Sequence, residues 1–207
     1  MHLYAHRVEP FDNGMYVLTD DRGDAVLIDP ARGEPRAMAT IRDHGLRLVE
    51  ILNSHGHPDH VFDNAKLQEA TRARIAIHAA DAYRLDPAKR PPSPLLDPPQ
   101  SVADDLIAEG ALTYVRDLEL EALHTPGHTE GSVCFYLPKE GLLFSGDLLF
   151  AGNVGRTDLP GGDAKQMEAS LARVAALPPA TRVFPGHGPA TTIGAELHWL
   201  RGFRFGG

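Results

Sequence analysis

Residues 53–63 read NSHGHPDHVFD, placing His55, His57, Asp59 and His60 within six positions directly after the apolar run LRLVEIL. On a regular strand the side chains at i and i+2 share a face, so His55 and His57 can turn two imidazoles toward one ion without a special fold. Asp59 and His60 follow in a turn or first helical turn, which aims them at a second position nearby. Four candidate ligands already exceed what a single catalytic zinc takes from the protein. Without a metal, the cluster would concentrate desolvated polar and charged groups at one loop with nothing to compensate them.

Three later segments add to this set. HTPGHTEGS carries His128, LLFSGDLL carries Asp147 and FPGHGP carries His187, each in a glycine-flanked loop after an apolar segment. Such loops let a rigid sheet position a side chain while the backbone comes close. Seven candidate ligands make a two-metal site the economical reading, and Asp147, arriving from the other half of the chain, is the natural residue to bridge two ions. His2, His6, His44, His78, His124 and His198 lack such company and read as ordinary surface or core histidines. A structural metal module is a poor alternative, because structural zinc is closed by four ligands, frequently thiolates, and no cysteine lies near this cluster.

Around these loops the chain alternates strands and helices. YAHRVEPF, MYVLTDD and DAVLIDP read as short strands. A helix is predicted from Pro35, whose missing amide costs nothing in a first turn, to Gly45. LRLVEILNS returns to strand character, Val61, Phe62, Ala65 and Ala70 recur at helical spacing, and IAIH is the next strand. LTYVRDL, LEALHTP, GSVCFYLP and GLLFSGD repeat the strand habit. Asp163 is the predicted N-cap of a helix through Met167, Leu171 and Val174. RVFPGHGP is strand plus loop, and TTIGAELHWLRG is a last short helix. Strand-rich halves, each with helices, imply two packed sheets under outer helical layers. Residues 86–100, DPAKRPPSPLLDPPQ, hold too many prolines for a helix or interior strand and form an exposed excursion that either roofs a site or joins two halves.

The totals bound the partners. A chain of 207 residues, 43% hydrophobic and 23% charged, is expected to form one globular domain spanning 1–207. A formal charge of -8 disfavours a nonspecific nucleic-acid binder and leaves small molecules open. No apolar run reaches membrane-spanning length and MHLYAHRVEP lacks the features of a secretory signal, so no membrane association and a cytoplasmic location are expected. Cys134, the only cysteine, lies in a strand-like apolar run and is expected to be a buried, inert thiol. Oligomeric state is left open.

The ligand words, together with GDLLFAGNVGRTDLPGGD at residues 146–163, resemble the metallo-beta-lactamase superfamily and most of all its small glyoxalase II-like branch, hydroxyacylglutathione hydrolases included. The resemblance implies an α/β fold, the four-layer αββα sandwich, with metals at one edge of the two sheets. It places His55, His57 and His128 on a first ion, Asp59, His60 and His187 on a second, and Asp147 between them. The ions would be two divalent cations, zinc first, with Fe(II) or Mn(II) as alternatives. Asp29 matches a family acid behind the ligands, accepting a hydrogen bond from a ligand imidazole or the catalytic water. Arg156 offers a fixed positive fork suited to a carboxylate, a loop carbonyl or Asp158, while Thr157 and Asp158 hold the loop.

The implied reaction is hydrolysis of a small-molecule thioester of the hydroxyacylglutathione type by a metal-bridging hydroxide, with Asp59 orienting the nucleophile. The rival enzyme class is a persulfide dioxygenase holding one Fe(II) on His55, His128 and Asp147. Some features depart from the family pattern. Only about twenty residues follow His187, so no C-terminal helical glutathione-binding domain is expected; Phe62 and Asp63 replace a usual glycine pair, and Ser54 stands where threonine is common. The aromatic tail residues Trp199, Phe203 and Phe205 are expected in the core, at a dimer contact or in a pocket, in that order.

Overall fold

Two sets of short apolar strands, consecutive in the chain, build two sheets that face each other in the computed structural model, which describes residues 1–112, 114–115 and 118–205. The first sheet contains β1 (His2–Val8), β2 (Asn13–Thr19), β3 (Asp24–Ile28), β4 (Arg47–Leu52), β5 (Arg74–His78) and β6 (Asp105–Ile107), in that spatial order. Its first three strands pair antiparallel, and β3 through β6 run parallel. Parallel pairing requires crossovers, and these are supplied by helix α1 (Glu34–Asp43) between β3 and β4, by the short helices α2 (Pro58–Val61) and α3 (Asn64–Thr71) between β4 and β5, and by the 3₁₀ segment Ala79–Leu85 with the proline-rich segment between β5 and β6. Next come β7 (Gly110–Leu112), β8 (Leu120–His124), β9 (Val133–Leu137) and β10 (Leu142–Gly146), then the hairpin β11 (Leu149–Phe150) and β12 (Asn153–Val154). Helix α4 (Ala164–Val174), β13 (Arg182–Pro185), β14 (Thr191–Thr192) and helix α5 (Ile193–Leu200) complete the order. The second sheet reads β14-β13-β10-β9-β8-β7, with β10 and β13 parallel.

Burial explains the layering. Tyr16, Leu18, Val26, Ile28 and Leu52 of the first sheet meet Phe135, Leu137, Phe144 and Phe184 of the second in the core between them. The alternate residues Met15, Val17, Leu27, Ile51 and Ile75 face outward and pack with Ala37 of α1 and Leu67 of α3. On the far side, Cys134, Leu143 and Val183 pack with Met167, Leu171 and Val174 of α4 and with Ile193 and Leu200 of α5. A central strand buried on both faces must be apolar on both, which is why β2 reads as a near-continuous hydrophobic run. The result is the αββα sandwich. Among the described residues, no helix is long and apolar enough to cross a membrane.

Several sequence expectations are corrected. The helix predicted after His60 is two helices broken at Phe62 and Asp63; Asn64 and Leu67 form its buried side and Ala70 is exposed. The break follows from Asp63, whose carboxylate turns away to accept a bond from the Glu34 amide at the start of α1 (3.0 Å). Strand β6 and the 3₁₀ segment Ala79–Leu85 were not expected. Of the predicted strand LTYVRDL, Thr113, Arg116 and Asp117 lie outside the described residues; the strand found is Gly110–Leu112, and Tyr114 and Val115 follow it as a bend. Asp163 caps α4 as anticipated, accepting from the Gln166 amide at 2.9 Å. Trp199, Phe203 and Phe205 pack beside the outer core of the second sheet, with edge-to-face contacts at 5.7 and 5.0 Å.

Candidate metal centre

The carboxyl ends of β3, β4, β8, β10 and β13 lie along one rim of the sandwich and carry Asp29, His55 and His57, His128, Asp147 and His187 respectively. Asp59 and His60 are added by α2, which begins at Pro58 directly after the His57 loop. Side chains far apart in sequence therefore meet at the seam. One candidate set joins His55, His57 and His128, another joins Asp59, His60 and His187, and within each set the donor atoms lie within 4.8 Å of one another. Asp147 stands between them: its Oδ1 is 3.4 Å from His60 Nε2, and its Oδ2 is 3.4 Å from both His128 Nε2 and His187 Nε2. A third grouping, Asp29 with His55 and His60, lies behind these.

Outward hydrogen bonds set the imidazole orientations. His128 Nδ1 lies 2.7 Å from the Arg156 carbonyl and His187 Nδ1 lies 2.8 Å from the Phe11 carbonyl. A carbonyl only accepts, so both Nδ1 atoms carry the proton. His60 Nδ1 likewise meets Asp29 Oδ2 at 3.0 Å. Ser54 Oγ donates to Asp29 Oδ2 at 2.6 Å, which leaves it free to accept from His55 Nδ1 at 3.0 Å. Four histidines are thus tied at Nδ1 and present Nε2 inward, the arrangement that fixes ligand tautomers. His57 instead turns Nδ1 inward, 3.1 Å from His55 Nε2 and 2.8 Å from His128 Nε2.

These donors fit divalent cations. Burial lowers the pKa of His55 well below its ordinary value, and burial together with the charge of His128 brings His57 to about 3, so both rings are neutral and offer lone pairs. Three imidazole nitrogens pointing at one another share too few protons to satisfy them all, whereas a cation satisfies all three. Asp147 Oδ1 is buried without a hydrogen-bond partner among the described residues, a costly state that a cation also relieves. At the second set, burial opposes charge on His60, but Asp147, Asp59 and the bond to Asp29 outweigh it and hold the pKa near 9. Burial of His187 is likewise outweighed by Asp147 and Asp59, which raise it to about 11. Asp147 is held at about 2, its burial overcome by His60 and His187. The balance of acids and imidazoles makes the pocket a ready acceptor of positive charge.

The backbone is shaped to permit this approach. A Cβ at Gly186 would sit 2.1 Å from Asp147 Oδ1, and one at Gly155 would sit 1.9 Å from the Asp147 carbonyl oxygen. Asp29 itself adopts φ 49°, unusual outside glycine, and accepts from the Ser54 amide at 2.7 Å as well as from Ser54 Oγ and His60. Arg156 takes the architectural option open to it in the sequence: Nε and Nη2 donate to the two oxygens of Asp158 at 2.6 and 2.7 Å in solvent, while its carbonyl orients His128. Cys134 is fully buried, its thiol pushed up to about 12 by burial, and takes no part.

Sequence reasoning missed several supporting groups. Asn13 Nδ2 donates to Asp59 Oδ2 at 3.1 Å, and an asparagine at a strand start carries no signal of that role. Ser54 shows in the sequence only as a hydroxyl in a threonine's place. Asp81, fully buried, accepts from the Gly56 amide (2.7 Å), the Gly131 amide (2.9 Å) and Thr129 Oγ1 (2.8 Å), so it joins the His57 loop to the His128 loop.

Two cavities open onto the rim. One, of about 310 Å³, is lined by Phe11, Pro58, Asp59, Leu95, Leu96 and His187. The other, of about 270 Å³, reaches His57 and Asp59 and is walled by Arg90, Pro91, Pro92 and Pro94. Ser93 and Leu95 belong to both, so the proline-rich excursion roofs the site.

Residues 10–187 match the metallo-beta-lactamase superfamily. The chain belongs to that superfamily. It is 32% identical over 198 residues to the probable metallo-hydrolase YqgX of Bacillus subtilis, with 92% of this chain and 93% of that protein covered. It is 36% identical over 177 residues to hydroxyacylglutathione hydrolase of Cereibacter sphaeroides, covering 85% of this chain but only 62% of that enzyme. Among solved structures, BLEG-1 B3 metallo-beta-lactamase superposes with a TM-score of 0.89 at 34% identity, covering 95% of this chain and 97% of that one. TTHA1623 in a di-iron-bound form gives 0.80 at 38% identity, covering 93% and 96%. ETHE1 from Myxococcus xanthus gives 0.80 at 28% identity, covering 95% and 81%.

Proposed function

We propose that this chain is a dinuclear metal-dependent hydrolase of small thioesters of the hydroxyacylglutathione type. The observation that carries the reading is the set of four histidines tied outward at Nδ1 and turned inward at Nε2, with Asp147 between two clusters. His55, His57 and His128 would hold one divalent ion, Asp59, His60 and His187 the other, and Asp147 would touch both. Zinc, iron and manganese all suit such a mixed imidazole and carboxylate set, and the similarity to a di-iron-bound protein supports iron alongside zinc. When bound, the ions supply Lewis acidity, which polarises an acyl carbonyl and lowers the pKa of water.

The chain's own residues do the rest. Asp59 is partly open to both cavities, and Asn13 fixes its Oδ2. That carboxylate would orient the attacking water by accepting a hydrogen bond from it. The two cavities meet at Pro58 and Asp59, so a substrate whose scissile carbonyl lies there extends its acyl part into one and its thiol part into the other. Water adds to the carbonyl carbon, the carbon–sulfur bond breaks, and an acid and a thiol leave. The likeness to hydroxyacylglutathione hydrolase supports the thioester class.

The likeness to ETHE1 favours a second reading, a mononuclear Fe(II) persulfide dioxygenase built on His55, His128 and Asp147. An anaerobic assay separates the two. Protein loaded with Zn(II), Mn(II) or Fe(II) is expected to release thiol from lactoylglutathione or smaller lactoyl thioesters without oxygen, and Asp59→Ala is expected to abolish that release. Fe(II)-dependent oxygen uptake with glutathione persulfide, with no thioester turned over, would establish the dioxygenase instead.

A further inference from the structure

The turn between β1 and β2 carries no candidate ligand, yet it reaches the second of the two clusters at several points. The Phe11 carbonyl accepts from His187 Nδ1 at 2.8 Å, which turns His187 Nε2 inward to 3.2 Å from Asp59 Oδ2. Asn13 Nδ2 donates to that same Asp59 oxygen at 3.1 Å. The Phe11 side chain also lines the cavity onto which Asp59 and His187 open. Where residues 11–13 lie therefore decides where Asp59 and His187, two members of the second ligand set, point.

Backbone pairing secures only one end of this turn. The Gly14 amide donates to the Gly186 carbonyl at 2.8 Å and Asn13 forms a β-bridge with His187, but toward the tip the Gly188 amide reaches the Asp12 carbonyl only at 3.4 Å. Asp12 also adopts φ 56°, a left-handed conformation that a residue other than glycine keeps where its surroundings impose it. Arg7 imposes it. Its Nε donates to Asp12 Oδ1 at 2.7 Å, its Nη2 to the Asp12 carbonyl at 2.5 Å, and its Nη1 to the carbonyl of Gly188, the residue after His187. A planar guanidinium presents these donors in fixed directions, so one side chain sets the turn against the His187 loop as a lysine ammonium cannot. The Arg7–Asp12 pair is half-exposed, and such pairs add little to global stability, so what this contact fixes is local geometry.

We propose that Arg7 is a positioning residue for the second ion: by clamping residues 11–13 to Gly188 it holds the Phe11 carbonyl on His187 and Asn13 on Asp59. This rests on the dinuclear reading for the ion but not for the clamp. Stepwise Zn(II) affinities are measured by chelator competition on the wild type, Arg7→Gln, Arg7→Lys and Arg47→Gln. Arg47 is the matched control, since it makes a forked pair with Asp24 at 2.7 and 2.6 Å at the start of β4, the end of that strand remote from His55.

The binding step lost in His187→Ala identifies the second ion. Arg7→Gln is expected to weaken that step about tenfold, while the other step and the denaturant midpoint of the metal-free protein match those of Arg47→Gln. Arg7→Lys should fall between wild type and Arg7→Gln, and carries the comparison if Arg7→Gln does not fold. Equal weakening of both steps, or weakening of neither, would overturn the proposal and leave Arg7 in an ordinary surface ion pair. A wild type that binds only one Zn(II) would defeat the dinuclear reading separately. Crystal structures then decide on the clamp. A Phe11 carbonyl displaced beyond hydrogen-bond reach of His187 Nδ1 in Arg7→Gln, but not in Arg47→Gln, supports it; any other result refutes it.

Discussion

Ser54 contributes no metal ligand of its own, yet its hydroxyl joins Asp29 to His55 and its amide fixes the other Asp29 oxygen. Removing it leaves His55 Nδ1 without an acceptor and loosens the acid that also orients His60. Ser54→Ala is therefore expected to fold but to bind Zn(II) about 10- to 100-fold more weakly in a chelator competition, the usual cost of losing a ligand's supporting hydrogen bond. Unchanged affinity would show that packing alone holds the rings. That these side chains would gather at one place was legible in the sequence, because histidine and aspartate at HxHxDH spacing crowd titratable groups that a cation readily reconciles. Their supports were not. Two of the four Nδ1 partners are main-chain carbonyls, of Phe11 and Arg156, and a carbonyl has no residue type to recognise.

Between residue and fold stand the loops, where glycine sets the approach distances. Gly127 has φ +137°, and a Cβ there would lie 2.3 Å from the Met167 amide nitrogen in the first turns of α4. The His128 loop thus rests directly on a helix that Asp163 caps, and the Asp163 amide donates back to the Gly127 carbonyl at 2.9 Å. Gly127→Ala meets both a conformational penalty and a backbone clash, and a loss of about 2 kcal/mol or more in denaturant unfolding is expected. A loss below a few tenths of this would mean that α4 shifts freely. Strands with strong alternation or apolar runs, and the capped helix α4, were readable from pattern. Strand β6 was not, since three residues beside the proline-rich segment are too few to show a period. The prolines of residues 86–100 excluded regular structure correctly, but that the segment covers the rim depended on how β5 and β6 pair, which local pattern does not encode.

At the scale of the whole molecule, two sheets drawn from opposite halves of the chain meet over one core, and the site lies where their strand ends converge. The same core holds a misfit. Glu50 of β4 is buried with an unpartnered Oε1, and burial, then the charge of Asp105, raises its pKa from 4.5 to about 8. The folded protein therefore keeps a proton that the unfolded chain releases near 4.5, so this contribution to stability is full below that pH and is lost as the pH climbs toward 8. Glu50→Gln, which stays neutral, is expected to gain in Tm relative to the wild type as pH rises from about 5 to about 9. A constant difference across that range would contradict the shift. The two-sheet architecture was legible because each half repeats strands with helices; Glu50 was not, since a glutamate in a strand ordinarily faces water. The central claim is that the seam holds two ions, and elemental analysis of protein saturated with Zn(II), Mn(II) or Fe(II) and then gel-filtered tests it most directly. Close to two equivalents per chain is expected, falling at both sites in Asp147→Asn and chiefly at one in His187→Ala; a stable single equivalent with every metal would contradict the dinuclear centre.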